Sequence, residues 1–84
     1  MYYVYILLSL KDKKFYIGST SDLKQRMGQH NSGSVVSTKH RRPFELLCYE
    51  AYNHKKEALS REKFLKSSDG KKDIKRRLTE SLIE

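Results

Sequence analysis

The sequence predicts an α/β fold: a small three-stranded antiparallel sheet covered by helices, with elements in the order ββαβαα. Two short runs rich in β-branched, aromatic and leucine residues, 2–8 and 15–19, lie close enough to form a hairpin. A third such run, 44–52, follows a polar loop. Elsewhere apolar residues recur at helical spacing. At 84 residues the chain has room for one compact domain, taken as 1–84. A domain of this size buries a modest share of its surface, so a charged group facing its core needs a reason.

Residues 2–8 form a continuous apolar run, the pattern of a strand buried on both faces. Residues 9–14 read as a turn. In the second strand Phe15 and Ile17 share one face and Tyr16 takes the other. Thr20 and Ser21 are candidate N-caps, and Asp22 suits the positive end of a helix dipole. That helix runs to about His30 with Leu23 and Met27 as its apolar stripe, and Asn31, Ser32 and Gly33 end it. Gly28 inside it costs about 1 kcal/mol relative to Ala, which points to a close backbone approach there. A polar loop, 34–43, leads to the third strand. Asn53 can cap a second helix over 54–67, with Phe64 turned toward the last helix. Ser68, Asp69 and Gly70 break the second helix. The last helix carries Ile74, Leu78 and Leu82 one turn apart.

The charge is strongly basic: 18 Lys and Arg against 10 Asp and Glu, a net +8. Such a balance favours polyanions, either nucleic acid or an anionic membrane surface. No apolar run approaches a membrane span, and the apolar start lacks the basic flank of a signal peptide. Cys48 is the one cysteine, so no disulfide forms within the chain, and a reducing, cytoplasmic setting is expected. His30, His40, His54 and Cys48 have no zinc-site spacing. Lys63, Lys66, Lys71 and Lys72 on the last two helices, with Lys39, Arg41 and Arg42 in the loop, are expected to contact a phosphate backbone without reading sequence.

Three further features bear on chemistry. On a helix over 54–67, Glu62 falls on the same side as Ala58, Leu59, Leu65 and the stem of Lys55. A carboxylate on a core-facing stripe is expensive unless it is paired or binds a metal. On helical position alone an ion pair is the commoner explanation. Arg26 and His30 lie one turn apart and can reach one site. Arg forks onto two phosphate oxygens, and His can pass a proton. Tyr5 and Tyr16 share a sheet face if paired residue numbers in the hairpin sum to an odd value. Together these groups suit metal-assisted attack on a phosphodiester.

The ordered set Tyr3-Val4-Tyr5, Tyr16-Ile17-Gly18, Arg26, His30 and Glu62 resembles the GIY-YIG nucleases, most of all the short stand-alone bacterial proteins of that family. The resemblance implies a divalent-metal-dependent endonuclease in which Glu62 holds one Mg²⁺ or Mn²⁺. Tyr5 or Tyr16 would orient or deprotonate the attacking water, Arg26 would neutralise the phosphate, and His30 would assist. A free Tyr titrates near 10, so Arg26 and the metal would have to lower that value. Gly18, counted with the nucleic-acid-binding residues, would let the backbone approach the site closely, and His40 would add a polar contact. Two departures stand out: Tyr-Val-Tyr replaces Gly-Ile-Tyr, and no Asn follows Asn53, where many relatives carry one after the Glu. The expected partner is nucleic acid, DNA ahead of RNA, cut by structure more than by sequence, with the chain a monomer. The alternative is a nucleic-acid-binding module that keeps the nuclease fold without cutting.

Overall fold

A computed structural model of the chain describes residues 1–82. The elements are β1 (Tyr2–Ser9), β2 (Phe15–Thr20), α1 (Leu23–Ser32), β3 (Phe44–Tyr52), α2 (Lys55–Leu65), α3 (Ser68–Arg77) and a last turn, α4 (Thr79–Leu82). A 3₁₀ turn at Lys39–Arg41 lies within the loop before β3. The sheet order is β2-β1-β3 with both pairings antiparallel, as the sequence predicts.

β1 is the central strand, which accounts for its unbroken apolar run: both faces are covered. The hairpin pairs Tyr5 with Gly18 and Leu7 with Tyr16. The sums are odd, so Tyr5 and Tyr16 do share a face. On that face Tyr5, Leu7 and Phe44 pack with Tyr16, Leu23, Met27 and Leu46 beneath α1. On the other face Val4, Ile6 and Ile17 pack against Ala58, Leu65 and Ile74 of α2 and α3. The sheet is thus the middle of three layers, and β2, six residues long, is one of its two edge strands.

Local details differ from the sequence reading. Asp22 is the N-cap of α1 and accepts from the Gln25 amide, while Thr20 accepts from the Asp22 amide one step earlier. α1 continues to Ser32 and ends at Gly33, whose φ of 84° places it in the left-handed region that glycine tolerates. Gly28 faces open space, so no close approach explains it. His54, not Asn53, is the N-cap of α2, without a side-chain cap bond. Ser68, Asp69 and Gly70 do not break the chain; they are the first turn of α3, capped by Ser67, which accepts from the Gly70 amide. Gly70 is buried, and a Cβ there would run into the Phe64 carbonyl oxygen. The glycine is a packing requirement where α3 folds back over the end of α2. Phe64 is not under α3: it is 43 % exposed, with the Arg61 guanidinium 5.4 Å from its ring centroid. Leu59 is likewise exposed.

Candidate active site at the open edge of the sheet

Tyr5 lies at the floor of the site, 1 % exposed. Its ring occupies the space above Gly18 on the neighbouring strand. A Cβ on Gly18 would sit 2.6 Å from Tyr5 Cζ and would also collide with the hydroxyl. The glycine in Tyr16-Ile17-Gly18 therefore makes room for the phenol, and Gly18 itself is buried. The close approach of the Gly18 backbone to the site is thus an approach to the Tyr5 ring.

His30 is completely buried, not on a solvated face. Its Nε2 is 3.0 Å from the Tyr5 hydroxyl, and its Nδ1 is 3.0 Å from Thr38 Oγ1. Tyr16 stands edge-on to the His30 ring at 4.9 Å between centroids, and Phe44, itself beside Tyr16, stands edge-on to it at 5.8 Å. Arg26, one turn before His30, brings its guanidinium beside both phenols and donates to Gln29 Oε1 at 3.1 Å. Tyr16 and Arg26 are half-buried, so they form the rim above the Tyr5–His30 pair.

Burial pushes the Tyr5 phenol above its ordinary value of 10.0; Arg26 pulls it down, but burial prevails, helped by the nearby Tyr16 and Glu62. The phenol thus stands above its ordinary value, opposite to the lowering that the expected base role calls for, and Tyr5 is a neutral O–H at neutral pH. His30 is held below 6.5 by burial first and by the Arg26 charge second, so it is a neutral imidazole.

Glu62 approaches from the opposite layer. Ser19 follows Gly18 and therefore faces α2, and it donates to Glu62 Oε1 at 2.6 Å. Lys66, one turn on, donates to Oε2 at 2.7 Å. The ion pair that an inward carboxylate calls for is made with this lysine. Burial works against the charge on Glu62, but the bonds from Lys66 and Ser19 outweigh it and hold the carboxyl below its ordinary value. Its side chain keeps 17 % exposure and lines a cleft of about 260 Å³ with Leu59, Lys63 and Lys66.

The basic residues divide into two groups. Lys63, Lys66, Lys71 and Lys72 are exposed on α2 and α3, as are Lys39 and His40 in the loop. Arg41 instead braces the fold. It pairs with Asp12 at 2.6 Å, donates to the Lys14 and Phe15 carbonyls, and lies over the Phe44 ring. Arg42 donates to the Lys39 carbonyl, and its guanidinium packs over Gly33. Arg61, Arg76 and Arg77 are tied to Glu50 and Asp73. A separate cavity of about 560 Å³ between α1 and β3, lined by Tyr3, Leu23, Lys24, Met27, Leu46 and Tyr49, contains none of the clustered polar groups. Sequence reasoning missed Ser19 and Thr38 as partners. The alternation of β2 gives Ser19 once the register is known; Thr38 sits in a loop with no periodicity to reveal it.

A buried phenol–imidazole pair, a guanidinium at its rim and a carboxylate on the next layer thus sit together on a small α/β scaffold. The chain belongs to the GIY-YIG catalytic domain family, whose model matches residues 1–77. Among relatives, a UPF0213 protein of Pediococcus acidilactici is 38% identical over 77 residues, covering 88% of this chain and 78% of that one. A UPF0213 protein of Streptococcus pyogenes serotype M5 is 42% identical over 65 residues, covering 76% and 70%. A solution NMR structure of a UPF0213 protein from Bacillus halodurans matches with a TM-score of 0.54 and 37% identity, covering 88% of this chain and 82% of that chain. No helix among the described residues is long and apolar enough to cross a membrane.

Proposed function

We propose that this chain is an endonuclease that hydrolyses phosphodiester bonds in DNA, and secondarily RNA, at the β2 edge with the help of one divalent ion. The observation that carries the reading is the convergence of Tyr5, His30 and Arg26 on one side of β2 with Glu62 on the other. Arg26 suits a scissile phosphate because its fork offers two donors. Tyr5 and His30 suit proton transfer: the phenol oxygen can take a proton from water while its own hydrogen passes to His30 Nε2. Tyr16, on the rim, suits a role in orienting that water.

The donor set fits a hard cation. Among the described residues no three or more His, Cys, Asp or Glu side chains gather into a metal cluster. One ionised carboxylate at a cleft suits Mg²⁺ or Mn²⁺, which keep several waters, and not the closed ligand set of zinc. Glu62 would hold the ion, with Lys66 released from its carboxylate to a phosphate. Bound there, the ion supplies stabilisation for charge developing on the leaving oxygen.

Lys63, Lys66, Lys71 and Lys72 form the backbone-binding surface in this reading, and the loop arginines do not. Replacing all four lysines with Ala is expected to flatten the salt dependence of duplex DNA binding by about 0.9 log unit for each phosphate no longer neutralised, with the melting temperature little changed. Arg41→Ala is expected to do the reverse, lowering stability by about 1–2 kcal/mol and leaving the salt slope alone. Fluorescence anisotropy across a salt series and thermal melts separate the two.

A second reading, a binding module that does not cut, is favoured by one observation: Ser19 and Lys66 already satisfy both Glu62 oxygens. Incubation of the chain with labelled single-stranded, duplex and branched DNA and RNA, with Mg²⁺, Mn²⁺ or chelator, tests the proposal. Cutting that needs the metal supports it, strongest on branched substrates. Binding without cutting on every substrate moves the assignment to the binding module.

A further inference from the structure

His30 sits between two hydroxyls, one on each ring nitrogen, and a neutral imidazole carries a single N–H. Two arrangements of hydrogens are available. In the first, the Tyr5 phenol donates to Nε2, Nδ1–H donates to Thr38 Oγ1, and the Thr38 hydroxyl donates to the Val35 carbonyl, 3.4 Å away. In the second, the Thr38 hydroxyl donates to Nδ1, and Nε2–H donates to the phenol oxygen. The phenol hydrogen then has to find another acceptor. Beside the phenol lie the Arg26 guanidinium, the Tyr16 ring and Gly18, over which the Tyr5 ring packs. A guanidinium only donates, so Arg26 cannot take that hydrogen. The first arrangement gives every hydrogen an acceptor and leaves the phenol oxygen a lone pair for Arg26.

We propose that Thr38 is a positioning residue that fixes His30 as the Nδ1–H tautomer and so leaves Nε2 free to accept the Tyr5 proton. Thr38 is fully buried, among the most enclosed polar side chains of the chain. The loop that carries it is held in several places. The Thr38 and Lys39 amides both donate to the Val35 carbonyl, and the Arg41 amide donates to the Thr38 carbonyl. Ser9 donates to the Arg41 carbonyl, and the Arg41 side chain grips Asp12. These contacts set Thr38 Oγ1 against the ring from the side opposite Tyr5. The loop's basic residues thus serve, in part, to aim one hydroxyl.

The inference rests on the nuclease reading for its consequence and not for its geometry. In the proposed step a proton leaves water for the Tyr5 oxygen as the phenol hydrogen moves to Nε2. The water becomes hydroxide, the phenol is restored, and His30 ends as an imidazolium bonded to Tyr5 and Thr38. The opposite tautomer has a hydrogen on Nε2 and cannot accept.

Long-range ¹H–¹⁵N NMR of the imidazole tests the tautomer without turnover, on the wild-type chain and on Thr38→Val and Thr38→Ser, each checked for folding by its backbone amide spectrum. The expected result is a protonated Nδ1 and a bare Nε2 in wild type and Thr38→Ser. Thr38→Val, which leaves Nδ1–H facing a methyl, shifts the ring toward Nε2–H. In single-turnover cleavage Thr38→Val then falls about tenfold or more, on the scale of general-base contributions, while substrate affinity holds and Thr38→Ser stays near wild type. A wild-type ring protonated on Nε2 overturns the proposal, as does a Thr38→Val ring that keeps wild-type protonation. A pinned Nδ1–H tautomer in a chain that cuts nothing places the failure in the nuclease reading alone.

Discussion

Tyr5→Phe is expected to lower single-turnover cleavage by about 10²–10⁴-fold, the range attributed to a positioned proton-transfer group, with nucleic-acid affinity close to wild type. The substitution keeps the ring that fills the space over Gly18 and removes the oxygen 3.0 Å from His30 Nε2. It also strands a buried imidazole nitrogen, at a cost of about 1–3 kcal/mol. Cleavage must therefore be compared below the melting range, located by a thermal scan. Tyr16→Phe keeps the edge-on contact with His30 and is expected to lose less. Equal losses in the two variants would contradict the division of the phenols into a floor residue and a rim residue.

Gly18→Ala is expected to damage stability and activity together. Its Cβ would stand 2.6 Å from Tyr5 Cζ, with the ring buried and little room to withdraw. Overpacking of this kind typically costs about 1–3 kcal/mol, and relief by tilting the ring would pull the hydroxyl from His30. The cause is checked by coupling: in a Tyr5→Leu background the same Gly18→Ala change should cost clearly less in a denaturant titration. An equal cost in both backgrounds would mean that the strand, not the ring, resists the methyl group.

Much of this architecture is legible in the sequence because it rests on period. The unbroken apolar run of β1 announces a central strand, and the alternation of Phe15, Tyr16 and Ile17 gives the faces of β2. Leu23 and Met27 mark the inner side of α1. Where local chemistry competes with tertiary packing, the sequence misleads. Ser68, Asp69 and Gly70 look like a helix break, yet Ser67 caps a new helix there, and Gly70 is required by the Phe64 carbonyl behind it. Phe64 looks like a core residue and instead lies under Arg61 at the surface.

The grouping of the candidate residues is partly legible in the sequence, and their arrangement less so. Helical spacing put Arg26 and His30 together, but only tertiary packing shows that Arg26 stays at the rim while His30 is sealed between Tyr5 and Thr38. Arg41 and Arg42 count as positive charge in a composition, and the fold uses them as hydrogen-bond donors to its own carbonyls. Glu62 was conspicuous as a carboxylate on an inward stripe, but its partners Ser19 and Lys66 depend on the approach of α2 to the β2 edge.

Glu62→Gln carries the central claim. The amide keeps the shape of the side chain and can still accept from Ser19, but it loses the charge that would hold a divalent ion. Single-turnover cleavage of branched DNA at saturating Mg²⁺, with binding measured in parallel, should fall by about 10²-fold or more, with affinity unchanged or tighter. Cutting by Glu62→Gln at the wild-type rate, or by the wild-type chain in chelator, would contradict the account and leave Glu62 as the ion-pair partner of Lys66.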